Sequence, residues 1–235
     1  MNTISSAETM SSAMAGARHY HDWVFQSFAE ALRPGAALEV GTGHGEYARR
    51  IAPLVQELIV SDLDPAAIEK TRAALASYEN VHHLVMNGVD PRVLGRRVDN
   101  IILLNVLEHV EDDAAFLRNA HQSLSARGVL VVFVPAFPAL YSRMDRQAGH
   151  VRRYERRALG RLIEDCGFAT KKIHYVNAVG FFGWLANKWL DSGIDSTTTN
   201  LQIALYDRMI PLFRHVDRAL PFLGQSLLAI AEKTG

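Results

Sequence analysis

The sequence predicts an α/β fold, a mostly parallel sheet with helices on both faces, on three observations. Short apolar runs alternate with helical patterns along the chain. The runs are nearly continuous in Val, Ile and Leu, and the first ends in a glycine-punctuated turn, Gly41-Thr42-Gly43-His44-Gly45, that opens a helix. Strands buried on both faces carry continuous apolar runs, and alternation with helices marks parallel crossovers.

Taken in order, residues 1–17 are rich in Ser, Ala and Met with weak periodicity and are expected to form a flexible N-terminal arm. From Arg18 to Leu32, Tyr20, Trp23, Val24, Phe28, Ala31 and Leu32 recur at helical spacing until Arg33-Pro34-Gly35 breaks the helix. Strands are expected over 37–40, 58–61, 81–86, 100–104 and 129–134, and helices over 46–54, 65–77 and 113–124. A helix over 155–165 then precedes strands over 171–177 and 226–232. The segment 178–224 is too long for a hairpin connection. Trp184, Leu185 and Trp189, then Leu205, Met209, Leu212 and Phe213, suggest two helices joined by a polar turn over 191–200. The expected organisation is one domain over 18–235, with 178–224 as a helical cap insertion.

Composition narrows the class. At 235 residues and 49% hydrophobic, the chain suffices for one full core. Lys plus Arg balance Asp plus Glu at 25 each, which removes the global field that would gather nucleic acid, so no nucleic-acid partner is expected. The sole cysteine, Cys166, has no internal disulfide partner and reads as a small core residue. With no secretory leader in view, the cytoplasm is the expected compartment. The apolar run 178–190 contains Asn187 and Lys188 and is too short to span a bilayer, so no transmembrane segment is expected.

Glycine at 41, 43 and 45 lets a nucleotide-like ligand lie on the main chain. A dinucleotide fingerprint needs a small residue at position 46, where Glu46 stands, and no Gly-Lys-Ser/Thr follows the glycines, which disfavours both a pyrophosphate and a phosphate loop. An adenosine cofactor without phosphates, carrying an amine and a positive centre that Glu39 tolerates, fits: S-adenosyl-L-methionine. Asp62 stands 21 residues beyond Gly41, the separation at which a carboxylate accepts ribose hydroxyls, with Leu63 beside it. Asp64-Pro65 reads as a helix cap rather than a ligand contact.

These residues, with Asn105-Val106-Leu107-Glu108-His109-Val110-Glu111-Asp112-Asp113, Ser125-Ala126-Arg127-Gly128-Val129-Leu130 and Glu164-Asp165-Cys166-Gly167-Phe168, resemble the class I S-adenosylmethionine-dependent methyltransferases, of the bacterial small-molecule type. Ala126-Arg127-Gly128 departs from the family's more usual Pro-Gly-Gly, at a turn remote from the chemistry. The resemblance implies a Rossmann-like sheet of seven strands with the last antiparallel. Cofactor contacts are implied at Glu39, Gly41, Thr42, Gly43, Gly45, Asp62 and Leu63. Further contacts are implied at Asn87, Gly88 and Val89 for the adenine, and at Asn105 and Val106 through the main chain. Tyr20 is a candidate lid contact. An Asn-Gly turn explains 87–88 equally well, and core packing explains Tyr20.

The segment 136–155 is dense in aromatic and titratable groups. His150 is the first candidate for a proton acceptor or acceptor-orienting group, and His109 is the second, with a loop hydrogen bond as its alternative. Arg152 and Arg153 bind a substrate carboxylate or else pair with Asp145 and Glu155. Tyr141, Tyr154, Phe182 and Trp184 complete the expected acceptor site. No catalytic metal is expected: His82 and His83 point to opposite strand faces, and Asp99-Asn100 opens a strand away from the reactive end. The expected activity is methyl transfer to oxygen or nitrogen of a small molecule. The alternatives are a macromolecular acceptor and a non-methylating protein on the same fold. A homodimer is a further expectation.

Overall fold

The structure is a computed structural model that describes residues 16–189 and 196–234. Most of the expected arm, and residues 191–195 of the expected polar turn, lie outside the described residues. Seven strands form one sheet in the order β3-β2-β1-β4-β5-β7-β6. They are β1 (Ala36–Val40), β2 (Glu57–Asp62), β3 (Val81–Val85), β4 (Val98–Leu104), β5 (Leu124–Pro135), β6 (Phe168–Val176) and β7 (Ser226–Lys233). The first five are parallel, and β7 runs antiparallel to both β5 and β6. This is the Rossmann-like arrangement the resemblance implies.

The helices are α1 (Arg18–Gln26), α2 (Ala48–Ile51), α3 (Pro65–Ala74), α4 (Pro91–Leu94), α5 (Asp113–Ser123), α6 (Arg143–Ala148), α7 (Arg156–Asp165), α8 (Ala178–Trp189) and α9 (Ser196–Ala219). Alternation along β4 divides the core. Ile101 and Leu103 join Leu117, Leu159 and Ile163 on one face, while Ile102 joins Val24, Phe28, Ile51, Phe133 and Ile210 on the other.

Several boundaries differ from expectation for local reasons. The first helix stops at Gln26, where the Ser27 hydroxyl donates back to the Val24 carbonyl. The helix after the glycine turn is a single turn continued as a 3-10 segment, Ala52–Leu54, because Pro53 has no N–H to carry on an α-helix. Strand β5 begins five residues early, passing through Arg127 at φ 62° before Gly128. Asp64 caps α3 by accepting from the Ala66 amide, as its Asp-Pro signature predicts.

The second insertion helix packs on the Ile102 face of the sheet, where its Ile203, Tyr206, Ile210 and Phe213 join Val24 and Phe28 of the first helix region. Asp207 of α9 accepts from the Tyr20 amide at 2.8 Å and pairs with His19 at 2.9 Å, docking α9 on α1. The middle of α9 is also tied to Asn177, just past the end of β6, to which the Tyr206 hydroxyl donates. Among the described residues no helix is long and apolar enough to cross a membrane. β1 lies between β2 and β4, and the chain crosses from β3 back over to β4 on the other side of it, the switch point at which ligands bind beyond the strand ends.

Candidate active site

At the end of β1, Gly41, Gly43 and Gly45 all hold positive φ, at 71°, 52° and 76°. A Cβ on Gly41 would lie 2.8 Å from Val106 Cγ2, so any side chain there would fill the cradle between β1 and β4. The Gly41 and Thr42 amides donate to the Ser61 carbonyl, which fixes the turn against β2. Beneath it Glu39 is buried, accepting at 2.9 Å from the Thr42 hydroxyl. Burial pushes its carboxyl up to about 8, with Thr42 opposing the rise and nearby Asp62 adding to it. A cationic ligand above the turn would reverse that.

Asp62 is half-buried at the end of β2, and its two oxygens accept from the Gly43 and Asp64 amides. Each carboxylate oxygen has a second lone pair, so these bonds aim the group while leaving capacity for two ribose hydroxyls. Leu63 is exposed beside it. Gly88 has φ 72° and packs on Phe116, Asn87 is exposed, and the Val89 side chain belongs to the core, leaving its main chain to meet a base. Asn105 is exposed with φ 54°, and Val106 is half-buried against Gly41. Tyr20 is buried, its hydroxyl bonded to Ser226, which places it in the core as well as beside the turn through Tyr47. The residues present thus fit an adenosyl cofactor. Glu46, taken in sequence as negative charge facing the ligand, is ion-paired with Arg49 and Arg50, so its charge is compensated within α2. The weak dipole of a four-residue helix is what remains against a pyrophosphate.

At the ends of β4 and β5 the structure gathers side chains instead. His109 closes a 3-10 turn, Leu107–His109, and His150 follows α6; their rings meet edge to face at 4.8 Å. Asp145, fully buried, is the hub. It accepts from His150 Nδ1 at 2.9 Å and from Arg153 Nε at 2.8 Å, and its other oxygen accepts from the Ser142 amide and hydroxyl. Burial would raise its pKa, but His150 and Arg153 hold it below the ordinary carboxylate range. Desolvation and the neighbouring His150 lower the pKa of His109, while the bond from its Nδ1 to the Gly149 carbonyl, at 3.1 Å, opposes that shift. Glu108 is fully buried beside them with neither oxygen hydrogen-bonded, and burial pushes its carboxyl up to about 8.

The expected substrate residues divide. The Arg153 side chain is 1% exposed, paired with Asp145 and stacked over the Trp184 ring at 4.6 Å, so it braces the site rather than reaching outward. Tyr154 is buried, its hydroxyl bonded to the Leu107 carbonyl and Asp113. Arg152 pairs with Asp113 at 2.8 Å. Tyr141 donates to the His150 carbonyl at 2.7 Å. Phe182 of α8 is 54% exposed and touches Phe181, which packs on Phe137. Phe137 itself holds φ 59° while stacked on Tyr175, a strained backbone kept by its surroundings.

Two residues of this end carried weaker signals in sequence. Asp145 was visible as the third residue after Ser142, the spacing of a capping box, which the structure forms. Glu108 had no signal that distinguished it from a structural glutamate. The pairs weighed for a metal, His82-His83 and Asp99-Asn100, remain at strand positions; Asp99 bonds the Ala36 amide and Ser125. Glu108, His109 and His150, by contrast, converge so that one ligand atom from each lies within 4.8 Å of the others.

Comparison with known proteins agrees with this geometry. The chain is 28% identical over 150 residues to a Mycobacterium tuberculosis protein named a probable S-adenosylmethionine-dependent methyltransferase, covering 63% of this chain and 54% of that one. It is 32% identical over 117 residues to nodulation protein S of Sinorhizobium fredii, covering 48% and 53%. It therefore spans little more than half the length of the curated relatives it matches. In fold it resembles the N-methyltransferase NodS from Bradyrhizobium japonicum in complex with S-adenosyl-L-homocysteine, with TM-score 0.62, 15% identity and coverage of 93% and 87%. The methyltransferase-domain family matches residues 13–173. Glycine cradle, aimed carboxylate, strand order and family match agree: the chain belongs to the class I methyltransferases, whose cofactor is S-adenosyl-L-methionine.

Proposed function

We propose that this chain transfers a methyl group from S-adenosyl-L-methionine to an oxygen or nitrogen of a small-molecule metabolite or natural-product intermediate. The cofactor supplies a methyl already activated on a sulfonium, so the chain's task is to align and deprotonate the acceptor. Glu39, Gly41, Thr42, Gly43, Gly45, Asp62, Leu63, Asn87, Gly88, Val89, Asn105 and Val106 hold the cofactor, with Tyr20 closing beside them. The acceptor lies over His109 and His150, between Tyr141 and the aromatic end of α8 at Phe182 and Trp184. Arg152, Arg153 and Tyr154 shape the floor.

The observation that carries this reading is His150. Its Nδ1 is engaged by buried Asp145, which leaves Nε2 free to accept a proton from the second substrate or to orient it. The domain reading, an arm over 1–17 and a methyltransferase domain over 18–235 with 178–224 inserted, belongs to the same proposal, as does a cytoplasmic location. Balanced charge supports a small acceptor over nucleic acid. Leu205, Met209 and Leu212 line up at helical spacing and are exposed on α9, which supports a homodimer contact there.

Turnover with a panel of hydroxyl and amine acceptors, using labelled cofactor, tests the activity. His150→Ala is expected to lower kcat at least tenfold while S-adenosylhomocysteine affinity stays within twofold. Full kcat and unchanged acceptor KM in both His150→Ala and His109→Ala would overturn the assignment of this end to the acceptor.

A further inference from the structure

We infer that Glu108, His109 and His150 form a binding site for one divalent transition-metal ion, of the kind that accepts two imidazoles and a carboxylate, placed to hold an oxygen of the methyl acceptor. The second half of this inference rests on the methyl-transfer reading and gives His150 its orienting rather than its proton-accepting role; the first half does not rest on it.

Three observations carry it. Glu108 is fully buried, and neither of its oxygens has a hydrogen-bond partner, although a buried carboxylate ordinarily finds several. The second is that both histidines are oriented from behind. His150 gives Nδ1 to Asp145 and His109 gives Nδ1 to the Gly149 carbonyl, which leaves each Nε2 lone pair free. A carboxylate on one imidazole and a backbone carbonyl on the other are the outer partners that metal-ligating histidines carry. The third is proximity: the three ligand atoms lie within 4.8 Å of one another, and His150 Nε2 is 3.9 Å from Glu108 Oε1. Metal–ligand bonds of about 2.0–2.2 Å put tetrahedral ligands about 3.4 Å apart, so a side-chain shift of about 1 Å closes the set.

Two nitrogens out of three ligands favour a Zn2+ or Fe2+ type of ion over Mg2+ or Ca2+, which prefer oxygen cages. Three protein ligands leave positions open, as in catalytic sites rather than structural ones. Charge agrees. Arg153 neutralises Asp145, so a dication on Glu108 leaves the cluster at one net positive charge, matched to an anionic oxygen on the open side. Ring packing between the two histidines explains their contact but leaves both Glu108 oxygens without a hydrogen bond.

The test is a titration of chelator-treated protein with Zn2+ by calorimetry, with Co2+ absorption as a spectroscopic reporter of nitrogen ligation. One Zn2+ per chain is expected, bound at least tenfold more tightly than Mg2+. Weakening of at least tenfold is expected in both Glu108→Gln and His150→Ala, the second covering the chance that the first fails to fold. No stoichiometric Zn2+, or equal binding by both variants, overturns the site; equal Mg2+ binding overturns the class of ion. Acceptor KM unchanged by chelator, in protein that binds Zn2+, overturns the acceptor role alone. Protein that binds Zn2+ at the three residues but transfers no methyl to any acceptor leaves the site standing and sinks the methyl-transfer reading.

Discussion

The ends of β1 and β5 lie at the same edge of one sheet and are built in opposite ways. At β1 the ligand surface is main chain. Three glycines clear the space, and two carboxylates, Glu39 beneath and Asp62 beside, supply the charge. At β5 the surface is a network of side chains in which Asp145 alone accepts from His150, Arg153 and twice from Ser142. A main-chain site tolerates loss of one side chain with a local loss of affinity. A buried network does not, because removing one partner leaves another charge without solvent or counter-ion.

That contrast sets the largest expected effect. Asp145→Ala strands the Arg153 guanidinium, whose side chain is 1% exposed, and should destabilise the fold by about 3–5 kcal/mol, the range for breaking a buried pair from one side. Urea unfolding of the two proteins measures it. A change under about 1 kcal/mol would mean that water or Glu108 takes over the guanidinium, and the supposed rigidity of this end would be wrong.

The same contrast explains what could be read from sequence. Gly41, Gly43 and Gly45 lie within ten contiguous residues whose types have few other uses, and Asp62 closes the next apolar run, so all four are legible in the sequence, as is the Asp64 cap. The β5 end joins Glu108 to His150 across 42 positions, a proximity that no local pattern encodes. For Arg153 the sequence leaves two roles open, a substrate carboxylate or pairing with Asp145 and Glu155, and the structure has the pairing with Asp145, with the Trp184 ring stacked on the guanidinium. Likewise the apolar stripe of α9 predicted a helix but not its neighbour. Docking on α1 depends on Asp207 meeting Tyr20 and His19, 187 and 188 residues away.

A second prediction sharpens the β1 side. Asp62→Ala removes charge-assisted bonds to the ribose and should weaken S-adenosylhomocysteine binding by about 1.5–3 kcal/mol. It also frees the Gly43 and Asp64 amides, so part of the loss comes from a looser turn. Calorimetry gives the total, and unchanged affinity in folded Asp62→Ala would remove Asp62 from the cofactor site.

Next in size is a pH effect at Glu39, which faces the Thr42 hydroxyl, Asp62 and the Tyr47 ring. Its folded pKa, about 8, lies above the unfolded value of about 4.5, so it stabilises the ligand-free protein most below the unfolded pKa. That contribution fades as pH rises toward 8, by up to about 1.4 kcal/mol per unit. A cationic ligand favours the ionised carboxyl, so binding should release a proton below pH 8 and tighten as pH rises. The slope should be smaller in Glu39→Gln, which keeps only the titration of the cofactor's own amine, so the difference between the two proteins isolates Glu39. Identical slopes in the two proteins would show that Glu39 keeps its proton when the cofactor binds.

The smallest expected effect distinguishes two uses of α8. Phe182 is 54% exposed and meets the Phe181 ring edge to face, so Phe182→Ala should change stability by less than about 0.5 kcal/mol, as surface replacements do. Trp184 stacks on Arg153, and Trp184→Ala should lose about 0.5–2 kcal/mol from the cation–π contact. If α8 walls the acceptor pocket, both variants raise acceptor KM severalfold and leave S-adenosylhomocysteine affinity alone, because the glycine cradle is built without them. If instead its aromatic end contacts a second copy of the chain, Phe182→Ala yields an active monomer by sedimentation with KM unchanged. The two outcomes are exclusive for Phe182, since a side chain covered by another copy is not in the pocket, whereas Trp184, anchored on Arg153, should shift KM only through the floor it braces.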